Sequence, residues 1–108
     1  MTETIDAEEL KKKMEKGEDF TLINVLTKES YEKEHIPGSI NIPYQEIVKH
    51  YRELDKEKEI IVHCSDEFCD ASSIAYEKLK GLGFDKIIDF EGGMEEWKEK
   101  GYSVEKGG

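Results

Sequence analysis

Cysteine, arginine and long apolar runs are all scarce in this 108-residue sequence. Two cysteines cannot build the disulfide framework of a small secreted domain, so we expect them to be reactive, metal-binding or packed. No apolar run approaches the roughly 20 residues of a membrane-spanning helix. Residues 1–6 lack the basic and then apolar pattern of a signal peptide, and we therefore expect a soluble, cytoplasmic protein.

Basic residues are outnumbered by acidic ones, with 16 Lys and Arg against 26 Asp and Glu and a formal net charge of −10. A surface of this sign repels nucleic-acid phosphates and anionic lipid headgroups, so we expect neither nucleic acid nor a membrane as a partner. The length allows one domain, which we place at residues 1–105, with a flexible tail over 106–108.

Helical and strand patterns alternate along the chain. Asp6 followed by Glu9 predicts a helix start with a capping box, and Pro43 predicts another helix that runs to about Leu54. Such alternation indicates an α/β domain with a mostly parallel sheet covered on both faces, whose ligands bind beyond the carboxyl ends of the strands. Strands are predicted over 20–26, 59–64 and 86–90, with a short extended piece at 39–41. The helix that Asp6 begins is predicted over 7–16, and further helices are predicted over 28–34, over 71–82 and from Gly93 to Gly101.

Cys64 ends one predicted buried strand, and a helix begins about six residues later. A strand, a tight loop and a helix N-terminus together direct backbone N–H groups at one point. Such donors favour the thiolate, which is the nucleophilic form of cysteine. The alternative is a packed strand-end residue, because free cysteine is commonly buried. The pattern alone leaves both interpretations open.

Three further motifs occur along the chain in a characteristic order. They are His35-Ile36-Pro37-Gly38-Ser39-Ile40-Asn41-Ile42-Pro43, the strand Ile60-Ile61-Val62-His63-Cys64, and Glu91-Gly92-Gly93 with Trp97. With them, the chain from about residue 20 to 104 resembles a rhodanese-like domain. The resemblance implies a five-stranded, mostly parallel sheet flanked by helices on both faces.

The resemblance also implies a sulfurtransferase that needs no cofactor. Cys64 matches the family's catalytic cysteine, which takes a sulfane sulfur from a donor such as thiosulfate or another persulfide. The resulting persulfide passes its sulfur to a nucleophilic acceptor, either a small molecule or a sulfur-accepting protein. The loop whose N–H groups match those that hold the persulfide contains Ser65, Asp66, Glu67, Phe68 and Asp70.

The sequence departs from the family's common pattern in three places. The strand end reads Asn24-Val25-Leu26, where the family often has Asp and Arg. The active loop carries three acids and no base, where the family commonly has arginine. Gly83 follows Cys64 by nineteen residues, which indicates a longer loop or a longer following helix.

The loop acids affect both the cysteine and its substrate. Carboxylates raise a thiol's pKa while loop amides and the helix dipole lower it, and we expect the amides to prevail by a reduced margin. A dianion such as thiosulfate is then expected to bind weakly. A neutral or cationic persulfide donor, or a partner protein with a basic patch, suits this loop better.

Cys69 lies five residues after Cys64 in the same loop. One interpretation is a resolving cysteine, which discharges a persulfide or protects Cys64 as a disulfide. The other is a small apolar filler at the start of the helix. Two cysteines and three scattered histidines do not form a zinc pattern, so we expect no metal.

Other side chains have structural interpretations. His63 should point to the opposite strand face from Cys64 and be buried with a hydrogen bond. We expect His35 to fix a turn, His50 to be solvated and Trp97 to lie in the core. Phe68 is expected to form a wall of the pocket or to anchor the loop. Ser72 and Ser73 are expected at the start of the helix after the loop, and Gly92-Gly93 close to the loop.

Two alternatives to sulfur transfer remain open on sequence grounds. The first is a non-catalytic regulatory or redox-sensing module that uses Cys64 and Cys69. The second is a phosphatase or arsenate reductase on the same fold. Phosphoryl transfer needs a cation on the equatorial oxygens. The position of such an arginine would be Cys69 or Asp70, and Asp70 would repel phosphate.

Overall fold

The computed structural model describes residues 3–107, and within that range the chain forms one α/β unit with four strands and five α-helices. Strands and helices alternate along most of the chain, as the sequence predicts. The elements are α1 (Ala7–Glu15), β1 (Phe20–Asn24), α2 (Lys28–Lys33), β2 (Ile40–Asn41), α3 (Ile47–His50), β3 (Glu59–His63), α4 (Ala71–Gly81), β4 (Ile87–Phe90) and α5 (Gly93–Glu99).

The four strands lie in the order β2-β1-β3-β4, and every neighbouring pair is parallel. The register pairs Asn24 with His63 and His63 with Phe90, so the carboxyl ends of the three longer strands lie side by side. The residues that follow these ends therefore meet at one edge of the sheet, where the ligands of such folds bind.

The predicted fifth strand is wrong for the part of the chain that the structure describes. Thr4 makes a single parallel bridge with Asp89 beside β4, supported by the Asp89 N–H donating to Glu3 at 2.8 Å. The segment cannot extend further, because Asp6 already caps α1. Its side chain accepts from the Glu9 N–H while the Glu9 side chain accepts from the Asp6 N–H, as predicted.

Both faces of the sheet are covered, which confirms the predicted layered arrangement. On one face α3 and α4 pack against alternate strand residues that include Ile23, Val62 and Cys64. On the other face α1 and α5 cover Leu22, Ile61 and Phe90. Cys64 and its neighbour His63 consequently belong to opposite faces, as strand alternation requires.

The single helix predicted from Pro43 to Leu54 is wrong. The segment instead contains a 3-10 turn at Tyr44–Glu46, the four-residue α3 and a second 3-10 turn at Tyr51–Glu53. Glu46 and His50 separate the pieces, because their φ values of −104° and −118° lie outside the helical range.

Two predictions involve the ends of the chain. The predicted domain begins on Met1 and Thr2, and the predicted tail at 106–108 includes Gly108; all three residues lie outside the described range. Domain limits and tail flexibility therefore stay predictions. Between residues 3 and 107, the structure contains no helix that combines the length and apolar character needed to cross a membrane.

Candidate active site

Cys64 is the first residue after β3, at the carboxyl edge of the sheet, and its side chain is completely buried. Its carbonyl oxygen accepts the Met94 N–H at 3.0 Å and lies 3.2 Å from Nδ1 of His63. The Ser65 carbonyl accepts the Glu95 N–H at 2.8 Å. Strand β3 and the start of α5 therefore fix the backbone that carries the thiol.

Gly93 makes this contact between α5 and the cysteine sterically feasible. Its φ is +57°, and a Cβ at this position would overlap the carbonyl oxygen of Cys64 and lie 2.9 Å from that carbonyl's carbon. Only glycine combines this backbone conformation with so close an approach. The predicted proximity of Gly92-Gly93 to the active loop is confirmed at Gly93.

Asp66 organises the loop that follows the cysteine. Its Oδ1 accepts the Phe68 N–H at 3.0 Å, and its carbonyl accepts the Cys69 N–H at 3.2 Å. These two N–H groups therefore donate their hydrogen bonds within the loop. The carbonyl oxygens of Asp66 and Cys69 instead face Sγ of Cys64, at 3.8 and 3.3 Å.

The pKa of the Cys64 thiol is raised, and the expectation that loop amides would lower it is wrong. Burial is the main cause, and the hydrogen bond with the Cys69 thiol adds to it. The backbone N–H and the hydroxyl of Ser72, the second residue of α4, act in the opposite direction. The resting site therefore favours the thiol. The facing carbonyl oxygens accept a hydrogen bond from the S–H group of Cys64, which a thiolate cannot donate.

Cys69 lies beside Cys64 as a half-buried free thiol. Sγ of Cys64 lies 3.3 Å from the carbonyl oxygen of Cys69, and the nearby Cys69 thiol is one of the causes that raise the pKa of Cys64. Cys69 also packs at the margin of the core on the α4 face of the sheet. The structure thus places the two sulfurs together and leaves both interpretations of Cys69 in place.

Acidic side chains surround the loop. Lys98 lines the same hollow as Ser65 and Asp66, but its Nζ is 2.5 Å from Oε1 of Glu34 and so is already paired. A further anion approaching Cys64 would therefore meet a negative field. The hollows next to the loop are lined by Asp6, Glu9, Glu67, Glu91, Glu95, Glu96 and Glu99.

All three histidines have structural roles, and among them only His63 contacts Cys64. His63 is fully buried next to Phe90, and burial lowers its pKa to about 4, so the ring is neutral at pH 7. His35 stacks on Tyr31 with 3.9 Å between ring centroids and bonds its carbonyl. His50 is partly exposed, as expected, and pairs with Glu46 and Glu53 on its own segment.

Phe68 contradicts both of its predicted roles. Its side chain is 86% exposed at the tip of the loop, so it neither lines a closed pocket nor anchors the loop. Trp97, on α5, is buried in the core between the sheet and the α1 and α5 layer, as predicted.

Asp89 is a residue of the site that the sequence analysis missed. It is fully buried in β4, its Oδ2 is 3.5 Å from Oγ of Ser73, and its pKa is raised mainly by burial. Ser72, the neighbour of Ser73 on α4, contacts Sγ of Cys64 at 3.7 Å. An aspartate within the apolar run Ile87–Phe90 was the available signal, because charge inside a buried strand is costly.

Comparison with known sequences identifies relatives along most of the chain. The sequence model of the Rhodanese-like domain family matches residues 6–100. A Bacillus subtilis (strain 168) protein named as a candidate sulfur carrier, YrkF, is 35% identical over 89% of this chain and 51% of its own length. The thiosulfate sulfurtransferase GlpE of Pseudomonas syringae pv. syringae is 32% identical over 71% of each chain.

Solved structures share the same architecture. The BH2092 protein from Bacillus halodurans superposes with a TM-score of 0.89 at 31% identity, covering 97% of this chain and 77% of the other. The chain spans about half the length, or less, of the first curated relatives it matches.

Proposed function

The chain belongs to the rhodanese-like domain family, and on that basis we propose that it moves sulfane sulfur through a persulfide on Cys64. The observation that carries the proposal is the placement of Cys64 at the carboxyl end of β3, followed by a six-residue loop and α4. The names of the two relatives, a sulfur carrier and a thiosulfate sulfurtransferase, support the same chemistry.

The proposed reaction has two displacement steps at sulfur. The Cys64 thiolate attacks the outer sulfur of the donor, a new S–S bond forms, and the donor's S–S bond breaks with its electron pair on the leaving group, which is sulfite for thiosulfate. A nucleophilic acceptor then attacks the outer sulfur of the persulfide, and the Cys64 thiolate leaves. The two steps balance without an external oxidant or reductant.

The donor that suits the site is a neutral or cationic persulfide, or a protein that presents a basic surface. Glu67 and the carboxylates at the start of α5 give the approach to the loop a negative field, and Lys98 is paired with Glu34. A dianionic donor such as thiosulfate therefore binds weakly, and its binding tightens as salt screens the repulsion. Because Cys64 is buried, the loop has to shift to admit any donor.

Cys69 is proposed as the resolving residue of the same cycle. Its thiolate attacks the inner sulfur of the Cys64 persulfide, a Cys64–Cys69 disulfide forms, and hydrosulfide leaves with the electron pair. The interaction between the two thiols in the structure supports this step. It also keeps a redox-sensing role as the second candidate function, in which a two-electron oxidant such as a peroxide is reduced as the two thiols form the disulfide, and no sulfur is transferred.

The phosphatase or arsenate reductase alternative is not favoured. The relatives are named for sulfur chemistry. The loop from Ser65 to Asp70 contains no cation that could neutralise a phosphoryl transition state.

Intact-mass spectrometry tests the proposal directly. The wild type, Cys64→Ser and Cys69→Ala are incubated separately with thiosulfate and with a low-molecular-weight persulfide. We expect one stable added sulfur in Cys69→Ala and none in Cys64→Ser, with the persulfide as the better donor. The wild type should gain the sulfur and then resolve to the Cys64–Cys69 disulfide, two hydrogens lighter than the reduced protein. A loss of two hydrogens that needs both cysteines, with no added sulfur under any condition, would replace sulfur transfer by a redox switch.

A further inference from the structure

Carbonyl oxygens of the active-site loop, rather than its N–H groups, face the sulfur of Cys64. Sγ lies 3.3 Å from the carbonyl oxygen of Cys69 and 3.8 Å from that of Asp66. Each carbonyl shares a planar, trans peptide group with the N–H of the next residue, so the N–H groups of Glu67 and Asp70 point away from the sulfur. Neither N–H group can stabilise a negative charge on Cys64 in this conformation.

Asp66 holds the other two N–H groups of the turn. Its Oδ1 accepts the Phe68 N–H at 3.0 Å, and its carbonyl oxygen accepts the Cys69 N–H at 3.2 Å. Every N–H group from residue 67 to residue 70 is therefore turned away from the sulfur or bound to Asp66. An aspartate that accepts the N–H two residues later stabilises a tight turn. The Asp66 side chain thus stabilises the loop in the conformation that shields the thiol.

This conformation does not suit a persulfide on Cys64. The Cys64 side chain is completely buried, so there is no room for a second sulfur beside it. The two facing carbonyl oxygens would also repel the negative charge of a persulfide anion, which is stabilised by N–H donors instead. The proposed function therefore requires a second loop conformation, in which the bonds to Asp66 are broken and N–H groups turn toward the sulfur.

The tip of the loop has little packing that would resist this change. The Phe68 side chain is 86% exposed, so its ring loses almost no buried apolar area when the tip moves. At the tip, the interactions lost on opening are mainly the hydrogen bonds that Asp66 accepts. The strength of these bonds consequently decides how often the loop opens.

The charges around Asp66 indicate what would break its bonds. The Asp66 side chain is half-buried and lines a hollow with Glu99 and Lys98, and this lysine is already paired within the protein. Asp66 takes part in none of the ion pairs found between residues 3 and 107. A cation entering the hollow would pair with the carboxylate charge to charge, whereas the Phe68 N–H is a neutral donor. The cation therefore competes successfully for the Asp66 side chain.

We propose that Asp66 is a latch that closes the active-site loop over Cys64, and that a positively charged group on the sulfur donor releases it. The cation takes the Asp66 carboxylate, the Phe68 N–H is freed, and the turn opens to expose the thiol to the donor. Asp66 is a positioning residue in this scheme, because it acts on the sulfur through the loop. The inference rests on the proposed function and deepens it, since it makes a cation on the donor a condition for fast reaction.

Two thiol reagents that differ by one charge test the inference, in a Cys69→Ala background that leaves a single thiol. They are 2-aminoethyl methanethiosulfonate, which is cationic, and 2-hydroxyethyl methanethiosulfonate, which is neutral. With either reagent the Cys64 thiolate attacks the sulfur bonded to the ethyl group, a disulfide forms, and methanesulfinate leaves with the electron pair. Intact-mass spectrometry at pH 7 gives each rate, which is divided by the rate of the same reagent with 2-mercaptoethanol. By this relative measure, we expect the cationic reagent to react about fivefold faster or more.

Asp66→Asn and Asp66→Ala form the decisive pair of variants. Both remove the charge, and only asparagine keeps a side-chain oxygen that accepts the Phe68 N–H. With the neutral reagent, Asp66→Asn should react within about twofold of the parent protein, and Asp66→Ala about fivefold faster, because the latch is lost. Both variants should lose most of the preference for the cationic reagent. Glu57→Gln, which removes one exposed charge at the opposite end of β3, should leave both rates unchanged.

The outcomes separate a latch from a simple effect of charge. Equal rates of Asp66→Asn and Asp66→Ala with the neutral reagent, in variants shown by circular dichroism to be folded, would mean that only the charge matters and would overturn the latch. An unchanged cationic preference in Asp66→Asn would overturn its release by a cation. These reagents transfer no sulfane sulfur, so the result is independent of persulfide formation. If the latch pattern appears while thiosulfate and persulfide add no sulfur, the proposed function alone is refuted.

Discussion

The backbone of Gly93 lies against the carbonyl group of Cys64 so closely that a methyl group on Gly93 would overlap its oxygen. The contact allows the N–H of Met94 to bond that same oxygen at 3.0 Å. The end of β3 and the beginning of α5 are thereby joined at the nucleophile. The position of the thiol thus depends on a glycine 29 residues away in sequence.

Gly93→Ala is expected to lower the free energy of unfolding by about 2 kcal/mol or more, from left-handed backbone strain plus the clash. Gly101→Ala is the matched control, because its φ of +78° imposes strain while a Cβ there meets nothing within 4 Å. It should cost about 1 kcal/mol. Urea unfolding measures both values, and equal losses would show that the contact with Cys64 contributes nothing.

His63 makes stability fall on mild acidification. The pKa of His63 is about 4 in the folded chain, below the usual 6.5. Between pH 4 and pH 6.5 the unfolded chain therefore binds a proton at this residue that the folded chain does not bind. Stability from this residue is complete above pH 6.5 and is lost as the pH falls toward 4, by about 3 kcal/mol. Urea unfolding at pH 7 and pH 5 should show a smaller loss in His63→Gln than in the wild type. Equal losses would contradict a buried, neutral His63.

Removal of the second thiol should make Cys64 more acidic. The Cys69 side chain raises the pKa of the Cys64 thiol by hydrogen bonding, so Cys69→Ala removes one cause of the shift while burial remains. The alkaline midpoint of Cys64 alkylation by iodoacetamide, followed by tandem mass spectrometry of the modified residue, should move to lower pH. A midpoint that stays in place or rises would mean that the two thiols do not interact.

Reversal of one loop charge should improve the reaction with thiosulfate. Glu67→Lys changes the exposed loop by two charge units, and we expect persulfide formation at low salt to accelerate about fivefold, equivalent to about 1 kcal/mol. Glu57→Lys, at the opposite end of β3, makes the same change as a control. The difference between the variants should vanish near 1 M salt. If both variants accelerate equally, the effect comes from net charge rather than from the loop.

Local sequence patterns predicted much of the fold. The capping residues Asp6 and Glu9, the strand from Phe20 and the alternation across His63 and Cys64 are each decided by neighbouring residues, and the structure confirms them. The motifs around Cys64 likewise indicate the family from residue types and spacings alone. The helix predicted after Pro43 is instead divided into two 3-10 turns and the short α3.

The sequence by itself determined the order of helices and strands, the acidic loop and the presence of a nucleophilic cysteine at a strand end, because these depend on residue types and short spacings. Only the tertiary structure decided the environment of that cysteine. Asp66 uses two loop amides internally, so carbonyl oxygens face the sulfur. The parallel register places β4 beside β3, and α4 places Ser72 against the sulfur of Cys64 and Ser73 near Asp89. Contacts between residues so far apart in the chain are set by packing, and no local pattern contains them.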